Sequence, residues 1–556
     1  MLNRGRAIEI LTQERFDVVV IGGGITGAGV ALDAASRGYS VALIEKADFA
    51  SGTSSRSSKL VHGGLRYLQQ FDLGLVREAL LERQLMVKLA PHLVTPLEMV
   101  VPAFGGGRPD RLVGIGLNMY DVMATPRLRG RRAARRAAEN GEGDWSPARH
   151  RLISGEEVVE RLPALEARQP SGGYLFYDCQ TDDARLVLTV LGEAERFGAI
   201  CANRLEVVGV LADDGDGDGG VRVSDVESGE ELVVRADNVI NATGVWADRI
   251  RPDELHSEAE LPTIVPSRGT HVTVSLADLP LRAGAIVPAG NDRSIFALPW
   301  LGASLLGTTD STYDGDIDHV RPAAGDIDYL LAATNSFFGT SLGPEDLTGA
   351  YAGVRPLISS GDARRSVDIS RKAELYETSS GLITITGGKL TTWRRMAKLA
   401  VDRLVERDGR DAPCRTHEIP LGEPVDPDSL PRVSGVPEGS YVAMAARYGH
   451  AAHDLLKLAG TQSELAAPIV AGHPDLLAEA PFSASREQAR TVGDVLLRRT
   501  RLGLVAAAAI RESGGEVPLR VARAMSAERC WDEGRVALEA RRFDEEARAE
   551  YVPGDE

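Results

Sequence analysis

The segment 16-FDVVVIGGGITGAGVALDAASRGYSVALIEK-46 constrains this chain more than any other. Phe16 to Ile21 is short, apolar and β-branched, which predicts a buried strand. Gly22, Gly24 and Gly27 form G-x-G-x-x-G. Small and apolar residues then run at helical spacing to Arg37, and Gly38 marks the stop. Val41 to Ile44 predicts a second strand that ends at Glu45. The glycines let the chain turn tightly and approach a pyrophosphate at the helix N-terminus, while the carboxylate accepts from ribose hydroxyls. A lone G-x-G-x-x-G is a weak signal. Two strands, a helix and Glu45 in their expected places make a dinucleotide fold the expectation.

The remaining chain, 556 residues in all, is too long for one core and implies two or three domains. A net charge of −17 disfavours nucleic acid as a partner. No apolar run reaches membrane-spanning length, and the residues before Phe16 carry Glu9 and Glu14 in place of a secretory apolar core. The four cysteines are far apart and form no C-x-x-C, which fits a reducing compartment and predicts no structural metal. The expected location is therefore cytoplasmic.

Farther along, the pattern switches to period two. RLEVVGV (204–210), VRVSDVE (221–227) and ELVVR (231–235) predict a β-meander leading into the apolar strand of ADNVINATG (236–244). Asp214, Asp216 and Asp218 mimic the start of an EF-hand loop, but strands flank them and Asp225 stands where a Glu is needed, so no calcium site is expected. Short strands over 262–313 predict an antiparallel sheet. Residues 381–405 read as strand, glycine turn and helix. The fold class is α/β. The expected domains are a discontinuous dinucleotide unit (14–71, 177–250 and 345–405), a substrate-capping unit (72–176 and 251–344), a Pro-rich linker (406–439) and a helical C-terminal unit (440–556).

Between the βαβ unit and the next helix lies 51-SGTSSRSSKLVHGGLRYLQQ-70, rich in hydroxyls and backbone amides that can wrap an extended dinucleotide. Gly63-Gly64 permits close approach to a flat ring. This loop, GGGITGAG (22–29), YDCQTDDARL (177–186), NATGVWAD (241–248), FALPW (296–300), LLGTTDSTYDGD (305–316), GVRPL (353–357), GGKLTTWR (387–394) and VGDVLLRRTRLGL (492–504) appear in one order along nearly the whole chain. In these motifs the chain resembles the FAD-dependent glycerol-3-phosphate dehydrogenases of the glycine-oxidase-like flavoproteins. Segment 105–150 departs from the family pattern.

The resemblance implies FAD as cofactor and sn-glycerol 3-phosphate as substrate. It implies FAD contacts from Gly22, Gly23, Gly24, Ile25, Thr26 and Gly27, from Glu45 and Lys46, and from Thr53, Ser54, Ser58, Lys59 and His62. Thr243, Gly244, Gly388, Leu390 and Thr391 complete that set. Oxidising a secondary alcohol removes a hydride and a proton, so beside the flavin the protein must supply a base and a charge for phosphate. Arg66, Arg355 and Lys389 are the cations set in small-residue motifs, and Lys389 is one of only seven lysines. The resemblance places them at the substrate with Tyr67 and His271, and leaves the proton to His271 or to Arg355 acting on the hydroxyl. Each has a bland alternative: a surface arginine, a turn anchor, a hydrogen-bonded strand histidine. His62 is expected to abut the ring without a covalent bond.

The resemblance further implies a membrane quinone as electron acceptor, and a homodimer is compatible with it. An oxygen-using glycerol-3-phosphate oxidase, a hydroxy-acid or amine oxidoreductase, and a non-catalytic flavin scaffold are the alternatives. Arg127, Arg129, Arg131, Arg132, Arg135 and Arg136 read either as a solvated face or as a patch for anionic lipid at the inner face of the cell membrane. LVGIGLNMYDVM (112–123) would then supply the apolar part of a peripheral anchor.

Overall fold

The computed structural model describes residues 3–64, 72–105, 110–124, 148–211, 219–252, 255, 257–290, 293–359 and 373–551. Arg66, Tyr67, the aspartates of the 214–218 turn and the 127–136 arginines lie outside the described residues.

The first sheet is built around Arg15–Ile21, which runs parallel to Val41–Ile44 on one side and to Glu231–Asn241 on the other. Ile200–Ala202 and Ile383–Gly387 extend it in parallel at the two sides, and Ala373–Glu377 adds an antiparallel edge. Parallel strands are covered on both faces, which is why they read as unbroken apolar runs. Helix Ile25–Ser36 is buried at every position except Thr26, because helices Asp183–Arg196 and Trp393–Asp408 pack on either side of it.

The expected ELVVR and ADNVIN strands are one continuous strand, Glu231–Asn241. Its first half pairs antiparallel with Gly220–Asp225, its second half parallel with Arg15–Ile21. Nothing in the sequence interrupts the strand; only its neighbours change.

One edge of the second sheet is a long antiparallel pair, Ile264–Ser275 against Leu347–Ile358. Ala303–Gly307, Ser294–Trp300 and Gly284–Pro288 follow across the sheet from it. Leu347–Ile358 and Gly172–Gln180 belong to this sheet. The expected boundaries at 345 and 177 put the first of these, and the end of the second, with the dinucleotide unit. Both strands pair within this sheet, and an apolar pattern alone cannot say which sheet claims a strand.

The chain from Glu438 to Glu550 is mainly helical. Its helices dock through buried ions. Arg498 and Arg499 donate to Asp48, and Arg501 donates to Asp183, which also accepts from Lys59.

Candidate active site

The carboxyl ends of the parallel strands open on a cavity of 1010 Å³ whose far wall is the second sheet. This is where an open α/β sheet binds ligands. Gly22 adopts φ +110°, and a Cβ there would stand 2.8 Å from the Ala242 carbonyl oxygen. A Cβ on Gly27 would stand 1.9 Å from the Gly22 carbonyl oxygen, so this glycine serves the closure of helix on strand and does not line the cavity. Gly23 is also off the wall; its N–H donates to Glu45 Oε2 at 2.6 Å, and Ala47 N–H donates to Oε1 at 2.8 Å. Burial pushes the Glu45 carboxyl up, and these two N–H groups pull it back.

Helix Ile25–Ser36 starts at Gly24, which has no side chain to cap it; Ile25 N–H donates to Ser54 Oγ at 2.9 Å. Thr53 Oγ1 donates to the Val354 carbonyl at 2.5 Å, tying the Ser-rich loop to the second sheet. Lys46 pairs with Asp318 and lies over the Trp246 ring at 4.6 Å. Thr243 and Gly244 line the wall beyond.

Lys59 is a correction. It is fully buried away from the cavity, at 2.8 Å from Asp183 and over the Tyr351 ring at 4.7 Å. Burial pushes its ammonium down to about 7 against the pull of Asp183. A lysine in a hydroxyl-rich loop reads as a ligand contact; only the fold shows a carboxylate waiting behind it.

His62, Gly64, Gly388, Lys389, Leu390 and Thr391 form the wall where the Ser-rich loop meets the Gly-Gly-Lys turn. Thr391 Oγ1 joins the two, accepting from His62 N–H at 3.1 Å and donating to its carbonyl at 3.2 Å. Beneath them Gly63 N–H donates to Tyr120 Oη at 2.8 Å, and Tyr120 donates to Asp178 at 2.7 Å, which Arg83 also meets at 2.6 Å. Sequence reasoning missed Arg83, which no quoted motif carries, and read Tyr120 only as part of the apolar segment 112–123; Asp178 stood in the YDCQ motif.

Opposite lies one face of the second sheet. Strand register sets His271 against Tyr351, Gly269 against Gly353 and Ser267 against Arg355. The period of two puts all six on one face, with a glycine pair leaving its centre low. The His271 and Tyr351 rings stack at 4.9 Å. His271 Nε2 and Ser58 Oγ are 2.8 Å apart, and Nδ1 is buried with no hydrogen-bond partner among the described residues. Burial, then Lys59, then Arg355 hold the imidazole well below its usual value of 6.5, so it is neutral near pH 7. Arg355 donates to Thr308 Oγ1 at 3.0 Å and to the Thr309 carbonyl at 3.1 Å. Lys389 reaches the same cavity in extended backbone ahead of the turn Leu390–Thr392. His271, Arg355 and Lys389 are thus brought onto one cavity.

The wall fits an extended dinucleotide bearing a flat ring. It offers an uncapped helix start, a carboxylate held by backbone N–H groups, hydroxyls along the middle and a glycine loop at the end. Residues 17–403 match the FAD dependent oxidoreductase family, and residues 383–536 match the C-terminal domain of alpha-glycerophosphate oxidase. FAD is accordingly the cofactor, and the chain is an FAD-dependent oxidoreductase.

Its relatives are narrower. The chain is 35% identical to the aerobic glycerol-3-phosphate dehydrogenase of Bacillus subtilis, over 90% of this chain and 89% of that one. It is 39% identical to glycerol-3-phosphate dehydrogenase 1 of Mycobacterium tuberculosis, over 88% and 92%. The FAD complex of the Bacillus halodurans glycerol-3-phosphate dehydrogenase superimposes with a TM-score of 0.76 at 29% identity, covering 98% of this chain and 97% of that one. The chain belongs to the glycerol-3-phosphate dehydrogenase family.

Proposed function

We propose that the protein oxidises sn-glycerol 3-phosphate to dihydroxyacetone phosphate and passes the electrons to a membrane quinone. The observation that carries the reading is the convergence of neutral His271 with Arg355 and Lys389 on the cavity that Glu45 and the glycine turn open. FAD, when bound, supplies the hydride acceptor, flavin N5. The protein supplies the rest. Lys389, with Arg66, gives the phosphate its counter-charge. His271 is the proton acceptor for the secondary hydroxyl: its neutral imidazole takes the proton through the Ser58 hydroxyl, which lines the cavity 2.8 Å from Nε2, and the Arg355 cation favours the oxygen left behind. Ser58 fixes the ring's orientation through Nε2.

Anaerobic titration with sn-glycerol 3-phosphate should bleach the flavin absorbance, and glycine or a 2-hydroxy acid should not. Bleaching by a carboxylate substrate alone would move the protein to the amine or hydroxy-acid branch. Replacing Arg66 by Ala should lower kcat/KM by ~10²-fold with FAD retained, because charged hydrogen bonds carry ~1.5–3 kcal/mol.

The membrane part of the reading rests on helix Arg111–Ala124. Leu112, Ile115, Met119 and Val122 are its exposed apolar side chains, at 75%, 57%, 37% and 69%. Their spacing of three, four and three residues places them on one helical face. Val113 of the same helix lines the cavity. No described helix is long and apolar enough to cross a membrane, so the contact proposed is interfacial, on the cytoplasmic side.

A further inference from the structure

Arg355 carries two candidate roles, as a charge for the phosphate or as a partner of the reacting oxygen, and its surroundings separate them. Its guanidinium lies back over Gly269, where a Cβ would stand 2.3 Å from Nη2. There it meets the following oxygen atoms among the described residues. Nη2 donates to Thr308 Oγ1 at 3.0 Å and to the Thr309 carbonyl at 3.1 Å. Nη1 faces Ser267 Oγ at 3.5 Å and Asp310 Oδ1 at 3.7 Å. Ser267 Oγ in turn donates to Asp310 Oδ1 at 2.5 Å. Asp310 therefore holds Arg355 both by charge and through the Ser267 hydroxyl, and both Asp310 and Arg355 line the cavity.

A carboxylate beside an arginine is a poor design for capturing a dianion. Its charge cancels the guanidinium's at distances beyond the pair and repels phosphate directly. The same carboxylate is well placed for another purpose. It fixes the planar fork in one orientation, and a fixed donor stabilises charge that develops on a neighbouring oxygen without reorganising. We propose that Asp310 is a positioning residue that holds Arg355 for the reacting hydroxyl, leaving phosphate recognition to Lys389 and Arg66. The inference rests on the glycerol-3-phosphate reading above.

The test compares wild type with Asp310→Asn, each loaded with FAD. Three quantities are read: kcat and KM for sn-glycerol 3-phosphate, and the inhibition constant of inorganic phosphate. The variant should lose about 10-fold or more in kcat while KM and the phosphate constant stay within about 3-fold, the pattern of an interaction made only in the transition state. Asp310→Glu should recover part of the loss. If kcat holds and both other constants tighten about 10-fold, Arg355 is a phosphate ligand that Asp310 merely opposes, and the proposal falls. Unchanged constants overturn it equally. Should Asp310→Asn fail to take up FAD, Ser267→Ala carries the test, because it removes only the hydroxyl link; it should lower kcat several-fold at constant KM, and an unchanged kcat overturns the proposal. A wild-type flavin that sn-glycerol 3-phosphate does not reduce overturns the substrate reading itself, and that result is distinct from any of the others.

Discussion

At the scale of the residue, His271 shows how burial sets a proton's destination. Neither ring neighbour donates charge that would favour the imidazolium: Ser58 is neutral and Tyr351 stacks flat. Burial, Lys59 and Arg355 all disfavour it. The acceptor form exists above the depressed value and is lost as pH falls through it. The rate of flavin reduction by substrate should therefore stay level from pH 8 to about 6.5, the ordinary histidine value, and decline only below. Anaerobic stopped-flow measurement across pH 5–9 checks this. A limb centred at or above the ordinary histidine value would assign the proton to another group. Replacing His271 by Asn should abolish the limb and leave bound FAD in place.

At the scale of the element, the glycine turn and the exposed helix make separate predictions. Gly27→Ala would drive a methyl into the Gly22 carbonyl, which is backbone and cannot rotate away. The variant should purify with little or no FAD, as read from the ratio of flavin to protein absorbance. Helix Arg111–Ala124 has one apolar face on the protein and another on solvent. Leu117 and Tyr120 are buried, whereas Leu112, Ile115 and Val122 are more than half exposed. Changing Leu112, Ile115 and Val122 to Ser should remove flotation with anionic liposomes and leave flavin reduction by substrate unchanged. Equal flotation of variant and wild type would place the membrane contact elsewhere.

At the scale of the whole molecule, the helical C-terminal part is held by ions that only burial explains. Asp183 sits fully buried with Lys59, Arg501 and the Ser57 hydroxyl. Burial raises its carboxyl, but Lys59 and Arg501 outweigh that and hold it below the ordinary value. Glu487, beside Arg185 and Arg499, is lowered in the same way. Between the depressed and the ordinary values the folded state binds fewer protons than the unfolded one. Their stabilisation is thus complete above about pH 4.5 and is lost as pH falls through the depressed values. Urea denaturation at pH 7, 4.5 and 3.5 should show the midpoint dropping mainly over the last step. Asp183→Asn should cost ~3–5 kcal/mol at pH 7, because it leaves the buried Arg501 guanidinium without the carboxylate it meets at 2.9 Å, while Lys59, already pushed down by burial, gives up its proton. A loss under 1 kcal/mol would mean that water replaces the carboxylate.

The dinucleotide half was legible in the sequence because its signals are local. A strand, a glycine turn, a helix and Glu45 fall within 31 residues, and each acts on its chain neighbours. Gly22, Gly24, Ile25, Thr26, Glu45 and Ser54 stand on the cavity where that local logic puts them. His271, Arg355 and Lys389 could be named from their motifs, but nothing local says that they share a cavity. Tertiary structure decided this through the register of Ile264–Ser275 on Leu347–Ile358, in which one residue of slip would turn His271 and Arg355 to opposite faces. It also decided against Lys59, whose partners come from 124 and 442 residues away, Asp183 by hydrogen bond and Arg501 through their shared carboxylate. Sequence periodicity fixes which way a side chain points along its own element; what it meets there is fixed by how the elements pack.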